Sequence, residues 1–246
     1  ISEWMGFYLL HESMLNSVVF ARDKFLKPNG AMFPSSAQIY AAVISMDDLR
    51  NEKIEFWRDV YGFNFSSIIP AAAQAFAANT AVVDVNEDQI ITNEFLVENI
   101  DLCTVTPAQL KELKQECFFT THKSGNFHAF CIWFDCRFPC AEGSEEVVLS
   151  TAPGADKTHW QQFVVKMPDS DLLEKDTFIE SLFTFQQDEA NPRFYNVSVH
   201  LTNISKETET ETEGEIFVLP GHEPACDCMK CKIARSFAAE MDIDED

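Results

Sequence analysis

Glycine is sparse in this chain, eight residues in 246, and no two stand as Gly-x-Gly. The glycine-rich turn by which an α/β unit cradles a nucleotide cofactor is therefore absent from this sequence. Cations are also scarce: 18 lysines and arginines face 40 aspartates and glutamates, a formal charge of −22. Such a balance repels nucleic-acid phosphates and anionic membranes at long range and attracts basic proteins, so neither nucleic acid nor membrane is expected as a direct partner. No apolar run is long enough to span a bilayer, and no basic segment followed by an apolar stretch opens the chain. The eight cysteines lack the spacing of a secreted disulfide scaffold, which points to a reducing, intracellular compartment. On that reading the sequons at Asn64, Asn196 and Asn203 are accidents of composition.

What is present is apolar enough, at 46%, to bury one large core or two smaller ones. From Leu9 to Leu26 the apolar positions Leu15, Val18, Val19, Phe25 and Leu26 recur at helical spacing, and Lys27-Pro28-Asn29-Gly30 supplies a stop. Ala31-Met32-Phe33-Pro34 and Ile39–Ile44 read as extended, so helix and strand together look like the close of an α/β unit. The chain begins abruptly on this apparently functional segment, and we expect more protein upstream. Between about residues 50 and 85 the sequence turns aromatic and helix-prone, with Phe56, Trp57, Tyr61, Phe63 and Phe65 followed by Ala71–Phe76. An insert this small cannot bury its own apolar face, so it docks either on its own core as a lid or on a second copy. From Ile90 onward the pattern is mainly β, with Phe130, Ile132 and Phe134 on one face of a long strand and further strands near 147–149, 163–165 and 196–201. Spacing of this kind suggests a sandwich or a barrel. The run Lys206–Glu213 reads as a solvated acidic loop, and 241–246 as a frayed acidic tail.

Two constellations carry possible chemistry. Glu3 and Glu12 stand nine residues apart, and at about 100° per residue one straight helix would point them in opposite directions. A bend at Gly6, with Glu3 on the incoming segment and Glu12 in the first turns of a helix, lets both carboxylates converge on one small cation. A guanidinium suits them, because its planar fork pairs with carboxylates in parallel hydrogen bonds. Trp4, Met5, Tyr8 and Met14 supply aromatic and thioether surface that would dry such a pocket. The second constellation is His222 with Cys226, Cys228 and Cys231, four possible zinc ligands spaced more tightly than common structural zinc motifs; no metal is expected, and partly exposed thiols are the simpler reading. Cys103, Cys117, Cys131, Cys136 and Cys140 read as buried thiols.

Ser2-Glu3-Trp4-Met5-Gly6, followed by Glu12-Ser13-Met14 on a helix that ends in Pro28-Asn29-Gly30 and Met32-Phe33-Pro34, resembles the double-glutamate loop of the protein arginine methyltransferases. Leu149–Pro153 leading into Thr158-His159-Trp160 resembles their Thr-His-Trp loop, and Trp57–Phe63 the start of their dimerisation arm. The likeness extends to about Leu201. It implies an α+β, mainly β fold: a C-terminal remnant of a Rossmann-like catalytic domain over 1–34, then a β-barrel substrate-binding domain over 35–246 with a helical dimerisation arm at about 50–85. It also implies methyl transfer from S-adenosylmethionine to arginine of basic or Gly/Arg-rich proteins such as histones or RNA-binding proteins, with the intact Thr-His-Trp triplet suggesting asymmetric dimethylation. Under the resemblance Glu3 and Glu12 are catalytic, and Trp4, Met5, Tyr8, His159 and Trp160 bind substrate. Met14 and Ser17 touch the cofactor, and Phe56, Trp57, Tyr61 and Phe63 form the arm of a homodimer. One glutamate, or a relay through His159, takes the released proton. Because the cofactor loop would lie upstream, this stretch alone is expected to be inactive, in a protein of cytoplasm or nucleus. The alternative is a non-catalytic dimerisation and protein-interaction module.

Overall fold

The computed structural model describes residues 1–140 and 146–206; the acidic Thr/Glu run, His222 and Cys226, Cys228 and Cys231 lie outside the described residues. Regular structure opens with α1 (Leu15–Phe25), which buries Leu15 and Val19 and leaves Phe20 and Phe25 exposed. The helix expected from Leu9 starts six residues later, because Tyr8, Leu9, Glu12 and Ser13 have φ of 43°, 73°, 72° and 54°, left-handed backbone that interrupts a right-handed ladder. Ala31–Pro34 forms no strand either; Pro34 has no N–H to give a ladder, and β1 (Ser36–Ile44) begins two residues beyond it.

After β1 come α2 (Asp47–Lys53), α3 (Ile69–Ala77), β2 (Ala81–Val83) and β3 (Phe95–Asp101). The short α4 (Pro107–Leu110) precedes β4 (Glu112–Thr120), β5 (Gly125–Phe138), β6 (Val147–Ser150), β7 (Gln162–Leu173), β8 (Thr177–Gln187) and β9 (Tyr195–Lys206). The strands make two antiparallel sheets: β2-β7-β5-β1-β3, with β6 also on β5, and β4-β8-β9. The architecture is α+β and mainly β, as expected, with two corrections. β1 lies between β3 and β5 and is antiparallel to both, so Ile39–Ile44 belongs to this sheet and not to a parallel α/β unit. The strands also do not close into one barrel among the described residues: a closed barrel needs an unbroken ladder, whereas Thr92 and Thr121, which flank β3 and β4, meet only as an isolated bridge.

The two sheets are joined by side chains. Phe119 of β4, Phe130 of β5 and Phe183 of β8 are fully buried, with ring centroids 5.8, 6.1 and 5.2 Å apart around the triangle. Phe130, Ile132 and Phe134 share this core, as the alternation predicts, while Ala129, Cys131 and Trp133 on the other face of β5 are buried in a second cluster with Ile44 and Val164. Of the scattered cysteines, Cys117, Cys131 and Cys136 are buried as expected, whereas Cys103 and Cys140 are exposed because they sit in connecting segments and not inside a strand.

The insert between β1 and β3 is helical. Its root is fixed where His128 Nδ1 accepts the Met46 N–H at 2.8 Å, and burial holds the His128 pKa below its ordinary value, which keeps that nitrogen an acceptor. Its far end, α3, packs on β7, with Phe76 buried and Lys166 Nζ 4.5 Å over the Phe76 ring. Between these anchors the tip is bare: Phe56, Tyr61, Phe63 and Phe65 are exposed, Tyr61 at 95%, and Trp57 is half-buried against Phe56.

Candidate functional site

The segment before α1 reverses direction at Gly6. Gly6 and Leu9 exchange backbone hydrogen bonds of 3.0 and 2.9 Å, and a Cβ on residue 6 would lie 2.1 Å from the His11 carbonyl oxygen, so only glycine fits there. The bend expected at Gly6 is present. Glu12, however, is not in the first turns of the helix: it lies in a 3₁₀ turn (His11–Ser13) ahead of α1, with the left-handed backbone noted above. Glu3 and Glu12 are both exposed, and Glu12 Oε1 accepts a hydrogen bond from Arg193 Nη2 at 3.0 Å.

The residues between and beside the two glutamates in sequence build an aromatic wall. Trp4 and Tyr8 are 5% exposed and Met5 is half-buried. The Tyr8 ring packs edge-on against Phe163 at 4.6 Å, and its hydroxyl lies 3.3 Å from His11 Nδ1. Burial pushes the Tyr8 phenol up to about 12, so it is neutral at physiological pH. Trp160 joins this wall from 155 residues away: its Nε1–H donates to the Met5 carbonyl at 2.7 Å, and its ring meets Phe134 edge-on at 5.5 Å. His159, exposed, lies with its ring 4.1 Å from that of Trp160. The glutamate-bearing turn and the Thr-His-Trp segment are thus neighbours, tied through Met5 and Trp160. Beside them the Thr158 hydroxyl is buried with no hydrogen-bond partner among the described residues.

The residues expected to touch a cofactor are divided. Ser17 lines a cleft of about 490 Å³ together with Ser2, Trp4, Val18, Arg22 and Phe25, whereas half-buried Met14 is not part of its lining. On α1 the buried Asn16 Oδ1 has no partner among the described residues. Within the cleft the Ser17 hydroxyl and an apolar wall suit the flank of an amphipathic cofactor, while Asn16 is not part of the lining and the Met14 thioether stands close by only in sequence. They do not amount to a whole cofactor site. Among the described residues no group of three or more His, Cys, Asp or Glu side chains is placed to hold a metal ion.

Sequence reading missed Arg193, Gln187 and His11. Arg193 and Gln187 lie in and beside the turn between β8 and β9, whose Asn191-Pro192 marks a turn but carries no sign of what it faces. His11 stands beside Glu12 and could have been noticed, since it continues the aromatic surface with Phe7 at 5.5 Å and Phe194 at 5.6 Å.

Residues 35–206 match the family profile described as the arginine methyltransferase oligomerization subdomain. Among curated relatives, the probable protein arginine N-methyltransferase 6.1 of Oryza sativa subsp. indica is 34% identical over 225 residues, covering 82% of this chain and 59% of the relative. Protein arginine N-methyltransferase 6 of Danio rerio is 37% identical over 203 residues, covering 81% and 57%. This chain therefore spans less than two thirds of the length of the relatives it matches. Among solved structures, the Trypanosoma brucei PRMT1 enzyme-prozyme heterotetrameric complex with AdoHcy superposes with a TM-score of 0.70 at 29% identity, covering 81% of this chain and 61% of that one. Arabidopsis thaliana protein arginine methyltransferase 10 gives 0.68 at 26%, covering 84% and 65%.

Proposed function

This chain belongs to the arginine methyltransferase family, and from that premise we propose that it is the substrate-facing and oligomerising portion of a protein arginine N-methyltransferase. The observation that carries this reading is the Trp160-to-Met5 hydrogen bond, which sets the Thr-His-Trp segment against the double-glutamate turn at one mouth. Residues 1–34 form the end of a Rossmann-like catalytic domain, and the β unit that follows presents the protein substrate.

Glu3 and Glu12 bind the guanidinium of a substrate arginine. A guanidinium is protonated and its lone pairs are delocalised, so two carboxylates that draw positive charge to one side and fix one terminal nitrogen lower the barrier mainly by positioning. Trp4, Met5, Tyr8 and Trp160 give the exposed carboxylates an aromatic and thioether flank, and a substrate docked against it would displace water and strengthen each carboxylate's hold. His159 walls the approach to that mouth. A glutamate, or His159 as a relay, receives the proton that leaves nitrogen. S-adenosylmethionine, when bound, would supply the methyl group; Ser17 in the cleft and Met14 near it in sequence would contribute to holding it, with most of its site on the longer protein.

The acidic charge favours Gly/Arg-rich or basic substrates such as histones or RNA-binding proteins, in cytoplasm or nucleus, and the product is asymmetric dimethylarginine. The aromatic tip at Phe56–Phe63 docks on a second copy. The test is methyl incorporation from S-adenosylmethionine into a Gly/Arg-rich peptide by this chain within its longer natural protein, with Glu3→Gln and Glu12→Gln alongside. We expect each substitution to cut the rate at least 100-fold, on the scale of lost positioning and charge stabilisation; rates equal to wild type would refute the clamp. The 246-residue chain alone is expected to show no tight S-adenosylmethionine binding by calorimetry.

A further inference from the structure

We propose that Arg193 is a positioning residue for Glu12 and that the β8–β9 turn is a strap which holds the second carboxylate of the clamp in its working orientation; the inference rests on the reading of Glu12 given above. Glu12 and Ser13 are consecutive non-glycine residues in the left-handed region, at φ 72° and 54°. Such a pair persists only where surrounding contacts over-determine it. Besides the local Ser13 N–H to Leu10 carbonyl hydrogen bond of 3.1 Å, the contacts that do so come from the β8–β9 turn. Arg193 Nη2 donates to Glu12 Oε1 at 3.0 Å, Gln187 Nε2 donates to Ser13 Oγ at 3.1 Å, and the Ser13 hydroxyl donates to the Pro192 carbonyl. Gln187 Nε2 also reaches that same carbonyl at 2.7 Å, so the strap is tied to its own strand end.

The strap is itself braced. Asp188 accepts the Asn191 N–H at 2.7 Å, Asp188 N–H and Phe194 N–H each donate within the turn at 2.9 Å, and the Phe194 ring packs on His11 beside Glu12. Arg193 projects from this braced turn, and its guanidinium engages one oxygen of Glu12 and leaves the second for an incoming arginine. A carboxylate already oriented loses little freedom when substrate arrives, and this is where positioning contributes to rate. The same geometry admits the opposite role, in which Arg193 sits where substrate should sit and competes with it. The two roles predict opposite kinetics.

The experiment measures kcat and KM of the longer natural protein for a Gly/Arg-rich peptide, comparing wild type, Arg193→Gln, Arg193→Lys, Gln187→Ala and Glu12→Gln. Arg193 and Glu12 side chains are 65% and 52% exposed, so these variants should fold, with melting curves as the check. Positioning predicts that Arg193→Gln lowers kcat about 10- to 100-fold with KM changed little. It also predicts that Arg193→Lys recovers most of the loss and that Gln187→Ala falls between. An unchanged kcat for Arg193→Gln, or a lower KM with higher kcat/KM as competition predicts, overturns the proposal. If Glu12→Gln retains the wild-type rate, the clamp reading fails and the strap with it; if Glu12→Gln abolishes transfer while Arg193→Gln matches wild type, the strap alone fails.

Discussion

Two aromatic groups in this molecule have similar composition and opposite fates. Phe119, Phe130 and Phe183 interlock between the sheets with no exposed surface, whereas Phe56, Tyr61, Phe63 and Phe65 stand in solvent at the tip of the insert. Residue type does not separate them. Strand alternation directs the first group into a space enclosed by two sheets, while the second lies on a turn between the root of the insert and α3 and is left exposed among the described residues. The core group therefore governs whether the chain folds, and the exposed tip group is the one proposed to meet a second copy.

The largest test of that contrast is Phe130→Ala, which should cost about 3–5 kcal/mol in urea unfolding, as expected for a buried phenylalanine replaced by a cavity. A cost no greater than that of a tip variant would erase the distinction. Next comes the tie across the mouth: Trp160→Phe keeps the edge-on contact with Phe134 and loses the 2.7 Å hydrogen bond to Met5, for an expected loss of about 0.5–1.5 kcal/mol.

A gentler perturbation acts at the root of the insert. The His128 pKa is depressed by burial, so the unfolded chain takes up a proton before the folded one does, and the stabilisation is present above the ordinary value of 6.5 and lost as pH falls below it. The nearby Asp47 carboxylate and Arg50 guanidinium pull this pKa up and down respectively, less than burial does. Unfolding followed across that range should show a decline in wild type that is blunted in His128→Gln. The smallest stability change is expected at the tip, where Tyr61→Ala and Phe63→Ala should alter unfolding by less than about 0.5 kcal/mol while shifting sedimentation from dimer to monomer. A dimer that persists in both would remove the tip from the interface.

Much of this could be read from the residues. The glutamate pair, the stop at Lys27–Gly30, the aromatic insert and the face shared by Phe130, Ile132 and Phe134 follow from spacing and turn chemistry, which are local. The helical spacing that begins at Leu9 extends the expected helix over Glu12, whereas the contacts that hold it left-handed come through Ser13 and from a turn about 180 residues downstream. Arg193 was invisible for the same reason. The split into two sheets depends on where ladders stop, which alternating hydrophobicity along single strands does not encode.

Whether the mouth between the glutamate turn and Trp160 takes arginine while the tip takes protein is decided by titrating the isotopically labelled chain with a Gly/Arg-rich peptide and with its lysine counterpart. Both are followed by NMR in about 0.15 M salt, which screens the general attraction of an acidic surface. Arginine-dependent shifts are expected at Met5, Glu12, His159 and Trp160 and none at Phe56–Phe65. Shifts confined to the tip, or identical responses to both peptides, would contradict that assignment.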